Sequence, residues 1–290
     1  MEGGIGNVTM NAIDYASKAG ELFVLPDAVV RIKQLIEDDS TSMADIAEII
    51  NFDPSLASQL LRTANSALYK FPSKIDTISK AVQVIGTNSV YDLVVAYGVA
   101  NAFNTVPPDV IDLDKFWEQS VSCGLLAKYF AEQLGVREPE RLFVCGLLHN
   151  IGELVMVKLD KDIAVKCSKL TETDTPLKLQ QRHLGFPYSD IAAELIHAWS
   201  IPEEIAHPIA RLHTSIHRAQ SLDDKIVQLS YVLALDNIHQ DVYRSFNNLD
   251  DNLYRRLNMS MDDVESALDY TNLQSMSVLA LFNPSSFVVF

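Results

Sequence analysis

Cysteine is scarce in this chain, and its placement is sparser still. Cys123, Cys145 and Cys167 stand far apart with no CxxC pair, which excludes a disulfide framework and a zinc knuckle and fits a reducing cytoplasm. They read as small core hydrophobes. Positive charge is also short: 23 Lys+Arg stand against 38 Asp+Glu, a formal charge of −15. Such a surface repels phosphate polymers and anionic lipid, so neither nucleic acid nor membrane is an expected partner. The opening MEGGIGNVTMNAIDY has neither a basic n-region nor an apolar h-region, so no secretory signal is read there. The uncharged stretch from Leu93 to Pro108 is interrupted by Asn101, Asn104 and Thr105 and closes on two prolines, short of the roughly 20 apolar residues that span a bilayer. A soluble, cytoplasmic protein is expected. Sustained period-two alternation is missing as well, which removes strands from the expectation.

What is present is helical periodicity almost everywhere. With 48% apolar and 21% charged residues over 290 positions, the chain can bury a sizeable core and fold. The pattern predicts an all-α protein. Pro26 occupies a first helix position ahead of Val29, Ile32, Leu35 and Ile36. Ser42 with Asp45 forms a capping box that opens a helix carrying Ile46, Ile49 and Ile50, and Asp53-Pro54 restarts the chain as a new helix with Leu56, Leu60 and Leu61. Ile78 to Phe103 reads as two helices around Gly86. Pro107-Pro108, followed by Asp109, Asp112 and Asp114, makes the clearest linker. Phe116 to Leu134 is the next helix, ending at Gly135 as a left-handed cap. The strongly apolar stretch Arg141 to Val157 follows, then helices over Ile191–Trp199, Pro202–Leu212 and Asp223–Leu235. Ser260 and Asp263 form another capping box before a last helix. Three parts follow: 1–107, 108–241 and 242–290.

Two short helices joined by a tight break, Ala44 through Ile50 and then Asp53-Pro54 through Ala64, have the outline of a DNA-reading pair, with Ser55, Ser58, Gln59 and Arg62 turned outward. Residues 39 to 64 hold one basic side chain, Arg62, against Asp39, Asp45, Glu48 and Asp53. Phosphate contacts are what position such a module, so helix packing inside the first part is the expected role, with a DNA-binding regulator as the third functional reading.

The run Asp53-Pro54-Ser55-Leu56, then Leu60-Leu61-Arg62-Thr63-Ala64-Asn65-Ser66-Ala67, followed by Ala81 and Ile85-Gly86, resembles the N-terminal half of the HDOD family. These are bacterial signalling modules related to HD-type metal phosphohydrolases. The second half agrees in order: Phe116-Trp117 through Leu125, Gly146-Leu147-Leu148-His149-Asn150-Ile151-Gly152-Glu153-Leu154, Leu184-Gly185-Phe186, and Trp199-Ser200-Ile201-Pro202-Glu203-Glu204-Ile205. The resemblance covers roughly Leu22 to Leu235. It implies two helical lobes, the second shaped like the HD phosphodiesterase bundle, with residues 242–290 as a helical extension packed on the body. It does not by itself imply chemistry.

The resemblance also implies where a metal site would stand. HD enzymes use a histidine on an early helix, an adjacent His-Asp pair and a later Asp. Here Gln119 stands at the first position, the pair is His149-Asn150, and Tyr231 falls at the late Asp position. Tyr188 lies where the Leu184-Gly185-Phe186-Pro187 stretch often carries a histidine in the family. Glu153 replaces a lysine that some active relatives use for phosphate, and a carboxylate there repels phosphate. Only His149 and His213 survive as ligand types. Neutral amides and phenols cannot supply the charge that holds a dication and ionises its bound water. No catalytic residue and no cofactor is therefore expected; were a metal held, His149, Glu153 and His213 would hold it, His149 and Glu153 being four apart on one face.

His213 and His217 share the same spacing, although Thr214 and Ser215 read as a helix end. His183, His197, His207 and His239 read as lone histidines with no acidic neighbour at ligand spacing. Ser66, Ser120 and Ser230 lie in helical patterns, not in a Gly-x-Ser-x-Gly turn. The leading expectation is a non-catalytic signalling module that meets a signalling protein in trans, with a cleft at Gln119, His149, Asn150, Glu153, Tyr188, His213 and Tyr231 open to a small polar ligand. A metal-dependent phosphohydrolase with altered ligands, acting on a phosphodiester or nucleotide, is the alternative. The apolar end Phe287-Val288-Val289-Phe290 is expected to pack on the body or on a second copy of the chain.

Overall fold

The computed structural model describes residues 10–38, 41–66, 68–107, 109–218 and 220–282. Within them the chain is built from α-helices with no strand. The first group comprises α1 (Ala12–Leu22), α2 (Asp27–Ile36), α3 (Met43–Phe52), α4 (Pro54–Ala64), α5 (Ile78–Ile85) and α6 (Thr87–Ala102). The second comprises α7 (Leu113–Gln133), α8 (Pro139–Leu148), α9 (Ile151–Leu159), α10 (Lys161–Cys167), α11 (Pro176–His183), α12 (Tyr188–Ala198), α13 (Glu203–Ala210) and α14 (Leu222–Ile238). Two more, α15 (Asp251–Arg255) and α16 (Met261–Phe282), follow. Pro108 and Phe287–Phe290 lie outside the described residues.

Caps set most of these boundaries. Ser42 and Asp45 exchange side-chain-to-backbone bonds in a complete capping box, as do Ser260 and Asp263. Asp53 is at once the last cap of α3 and the first of α4, its Oδ1 accepting Ser55 N and Leu56 N at 3.0 Å each. Gly86 at φ +92° and Gly135 at φ +67° take the positive-φ turns after α5 and α7, where a Cβ would strain the backbone. Pro26 is the cap of α2 and not its first turn.

α7, 21 residues long, is the spine. α8 lies against it where Gly124 and Gly146 meet: a Cβ on Gly146 would stand 2.6 Å from Gly124 N and Cα, so only two glycines allow the approach. α14 and α16 pack on other sides of α7, and α6 reaches α8 from the first group. α1 belongs to the first part of the chain but packs on α12 and α9, a placement that its own residues do not announce. Pro139–Leu159 is apolar and long enough to cross a bilayer by composition, but 78% of its most apolar window is buried within the protein. It is also not one helix. The chain breaks at His149-Asn150, because the Gly146 carbonyl, which Asn150 N–H would take in a continuous helix, receives His149 Nδ1 at 2.5 Å.

One buried cation joins the two groups. Lys128 on α7, 5% exposed, donates to Leu68 O at 2.9 Å and pairs with Glu132 at 3.1 Å and Glu140 at 3.4 Å. Its ammonium lies 4.8 Å from the centre of the Tyr69 ring. Three protons thereby find three acceptors, the condition under which a lysine is buried without loss. The segment that supplies Leu68 O is closed by Asn65, whose amide donates to Ile75 O at 2.7 Å and accepts Ile75 N at 2.8 Å.

The helix pair α3–α4 is not laid out as a reader of DNA. Gln59, expected to face outward, is buried with Leu56 and Leu60, whereas Ser55, Ser58 and Arg62 are exposed. The α4 face that would carry readout residues is therefore divided between core and solvent.

Candidate functional site

A cleft of 440 Å³ opens in the second group of helices, and all seven of the residues expected to form it line its wall. α7 supplies Gln119, the α8–α9 break supplies His149 and Asn150, the first turn of α9 supplies Glu153, α12 starts with Tyr188, the segment after α13 carries His213, and α14 carries Tyr231. The helix break matters here, since it turns His149 into the cleft together with its neighbour Asn150.

The hydrogen bonds assign the protons. His149 Nδ1–H donates to Gly146 O, which leaves Nε2 as the acceptor facing Gln119 Nε2 at 3.4 Å. Gln119 Oε1 in turn accepts His239 Nε2–H at 2.9 Å. A single chain of neutral donors runs from His239 through Gln119 to His149. Burial favours the uncharged imidazole, and it holds His149 and His213 down at about 4, the second also under the influence of the first. The Tyr231 ring meets both edge-on, at centroid distances of 5.4 Å to His149 and 5.2 Å to His213. Glu153 moves the other way: burial pushes its carboxyl up to about 7, against the opposing bond from Asn150 Nδ2 at 2.5 Å. Burial also drives the Tyr188 and Tyr231 phenols far above their ordinary range.

This donor set does not fit a divalent metal. The Nε2 atom a metal would take is already facing an amide, the inner wall's carboxyl among the described residues, Glu153, is one that burial raises to about 7, and the positions opposite are amide and phenol. Among the described residues no group of three or more His, Cys, Asp or Glu side chains is placed to hold an ion, the set His149, Glu153 and His213 included. The charges lie at the mouth. Lys115 is paired to Asp241 at 2.9 Å and Lys161 to Asp109 at 2.7 Å, while Asp112 and Lys169 stand nearby.

Several sequence readings change. His239 is no lone histidine: it belongs to the cleft and bonds Gln119. Its spacing of four and eight residues after Leu235 and Tyr231 on α14 carried the signal. His213 and His217 do not share a site, since His217 is exposed and outside the cleft. His197 and His207 do have an acidic neighbour: Glu203 lies 2.7 Å from His197 Nε2 and 3.8 Å from His207 Nδ1, the latter four residues along α13. Asp241 and Val242, where the second part meets the extension, form part of the cleft wall, which no motif announced.

A profile of the HDOD domain matches residues 22–215. The chain belongs to the HDOD domain family. This HDOD chain is 24% identical over 229 residues to an uncharacterised protein of Treponema pallidum (strain Nichols), covering 77% of the chain and 44% of that relative, so it spans less than half of the relative's length. Among solved structures it resembles an HDOD domain protein of unknown function from Geobacter sulfurreducens, at 20% identity, TM-score 0.66 and coverage of 96% and 95% of the two chains. A candidate phosphohydrolase from Shewanella amazonensis SB2B matches at 23% identity, TM-score 0.65 and coverage of 94% and 93%. A candidate signal transduction protein from Marinobacter aquaeolei VT8 matches at 20%, TM-score 0.68, covering 98% of this chain and 68% of that one. These likenesses establish the fold, two groups of helices with an HD-like bundle.

Proposed function

We propose that this HDOD chain is a non-catalytic regulatory module, working in the cytoplasm, in which a cleft descended from a metal site serves recognition of a small polar ligand and passes the result to a signalling protein in trans. The observation that carries the reading is the neutral chain His239–Gln119–His149–Gly146. An HD-type hydrolytic site uses a cation to lower the pKa of a bound water and to polarise the phosphoryl oxygen, and here Gln119 and His149, at two of the ligand positions, face each other instead. Buried polar groups satisfied in this way fix a pocket's shape, which suits recognition.

The rival is a phosphohydrolase with altered ligands, supported by the likeness to the Shewanella protein named as a candidate phosphohydrolase. Metal analysis of the purified chain, followed by an assay with bis(p-nitrophenyl) phosphate and added Mn²⁺, separates the two. The expected result is substoichiometric metal and no turnover above the His149→Ala variant. Stoichiometric metal with hydrolysis abolished in His149→Ala overturns the proposal.

A further inference from the structure

We infer that the cleft receives a protonated primary amine on a short apolar body, with the ammonium set against Glu153 and the Tyr231 hydroxyl. This deepens the reading just proposed and rests on it.

The argument starts from polar atoms of the cleft that lack a protein partner and that a guest can reach. Glu153 and His213 are partly buried and line the cleft. One Glu153 oxygen takes Asn150 Nδ2; the other, Oε1, has no hydrogen-bond partner among the described residues and is not sealed from solvent. The Tyr231 hydroxyl, on a side chain 8% exposed, and the His213 imidazole are in the same condition. The three converge: the Tyr231 and His213 rings stand 5.2 Å apart between centroids, and Tyr231 lies within electrostatic reach of Glu153. A carboxylate oxygen only accepts, and the phenol oxygen and one imidazole nitrogen also accept, while an ammonium brings three donors. The fold already satisfies one ammonium with three acceptors at Lys128.

Charge selects the same guest. The lining holds Asp109, Asp112, Glu153 and Asp241 against Lys115 and Lys169. Lys115 is engaged by both oxygens of Asp241 at 2.9 Å, and Lys161 covers Asp109 at 2.7 Å. Asp112 and Glu153 have no ion pair among the described residues, and Lys169 is exposed at the rim. A cleft with an excess of one sign focuses its field on guests of the other, and the chain's charge of −15 adds to it. At pH 8 both imidazoles are uncharged even at the ordinary histidine value, so they do not repel a cation, and Glu153, raised to about 7, is mostly carboxylate. An anion gives up its hydration here against unpaired carboxylates, whereas an ammonium exchanges its hydration for a charge-assisted bond. The volume of 440 Å³ leaves room for a ring beside the ammonium, and Phe116 and Leu212 give that ring an apolar wall.

The test uses three probes of one shape, benzylamine, benzyl alcohol and benzoate, each titrated at pH 8 into the full chain and followed by ligand-observed NMR. Benzylamine is expected to bind at least about tenfold more tightly than benzyl alcohol, the effect of one hydrogen bond to a charged group, and benzoate more weakly than either. Glu153→Gln keeps an acceptor and removes the charge; it is expected to weaken benzylamine about tenfold and to leave benzyl alcohol where it was. Tyr231→Phe, which removes the hydroxyl and keeps the ring, is expected to weaken benzylamine about fivefold. Thermal unfolding of each variant verifies that it is folded. Benzyl alcohol or benzoate binding as tightly as benzylamine, no benzylamine binding, or benzylamine binding unchanged in either variant each overturn the inference. The metal and hydrolysis measurements separate this failure from that of the parent reading: an inert, metal-free chain that ignores benzylamine overturns the amine site alone, whereas a metal-loaded hydrolase overturns the parent reading.

Discussion

Glu153 and the two imidazoles of the cleft answer pH in opposite directions. Folding raises the Glu153 pKa from 4.5 to about 7, so the native state binds a proton more tightly than the unfolded chain does. Its contribution is favourable at low pH and is lost as pH rises through about 7. Glu153→Gln removes that penalty: urea unfolding should show variant and wild type alike near pH 4.5 and the variant more stable by about 2–3 kcal/mol at pH 8. Asp92, also raised to about 7 by burial, acts the same way in both proteins, so the difference between them isolates Glu153. His149 and His213 are lowered from 6.5 to about 4. Their contribution is complete above pH 6.5 and is lost as pH falls through about 4. Proton NMR of the ring signals should show both titrating below pH 5, and an ordinary midpoint near 6.5 for either would mean that the cleft is wet and open at that point.

Among elements, the close approaches are the sensitive places. A Cβ on Gly152 would strike the backbone oxygen of Tyr188, and on Gly146 the backbone of Gly124. Backbone cannot yield as a side chain can, so Gly152→Ala and Gly146→Ala are each expected to cost about 1–3 kcal/mol in denaturant unfolding. Gly152→Ala should in addition move Tyr188 and so alter the cleft. Helix starts were legible from residues alone because caps are local chemistry: Ser42 with Asp45, Asp53 with Pro54, and Ser260 with Asp263 each announce a start. The seven cleft residues were legible because family spacing places them. What escaped depends on atoms distant in sequence. The break inside Arg141–Val157 comes from the His149 side chain folding back onto a carbonyl. The place of α1 comes from the burial of Tyr15, Ala16 and Ala19 on a helix that packs on α12 and α9. The burial of Gln59 comes from neighbours that a helix pattern does not display.

For the whole molecule, Lys128 is the test of how the two groups of helices are held. Replacing it with Met leaves Glu140 buried without its cation and Leu68 O without its donor. Breaking a buried pair from one side costs about 3–5 kcal/mol, and Lys128→Met should show a loss of that order in urea. Lys128→Met with Glu140→Gln should recover part of it. The arrangement has a mechanical consequence. Leu68 O belongs to a segment clipped by Asn65, and Glu132 and Glu140 belong to the spine and its partner helix. A hinge opening between the halves would take Leu68 O and the Tyr69 ring away from Lys128 while leaving it Glu132 and Glu140, so swinging apart costs one buried hydrogen bond and one cation–ring contact. On the proposed reading, a ligand filling the cleft is expected to stiffen a body that keeps its outline, so that a partner would sense firmness and not a new shape.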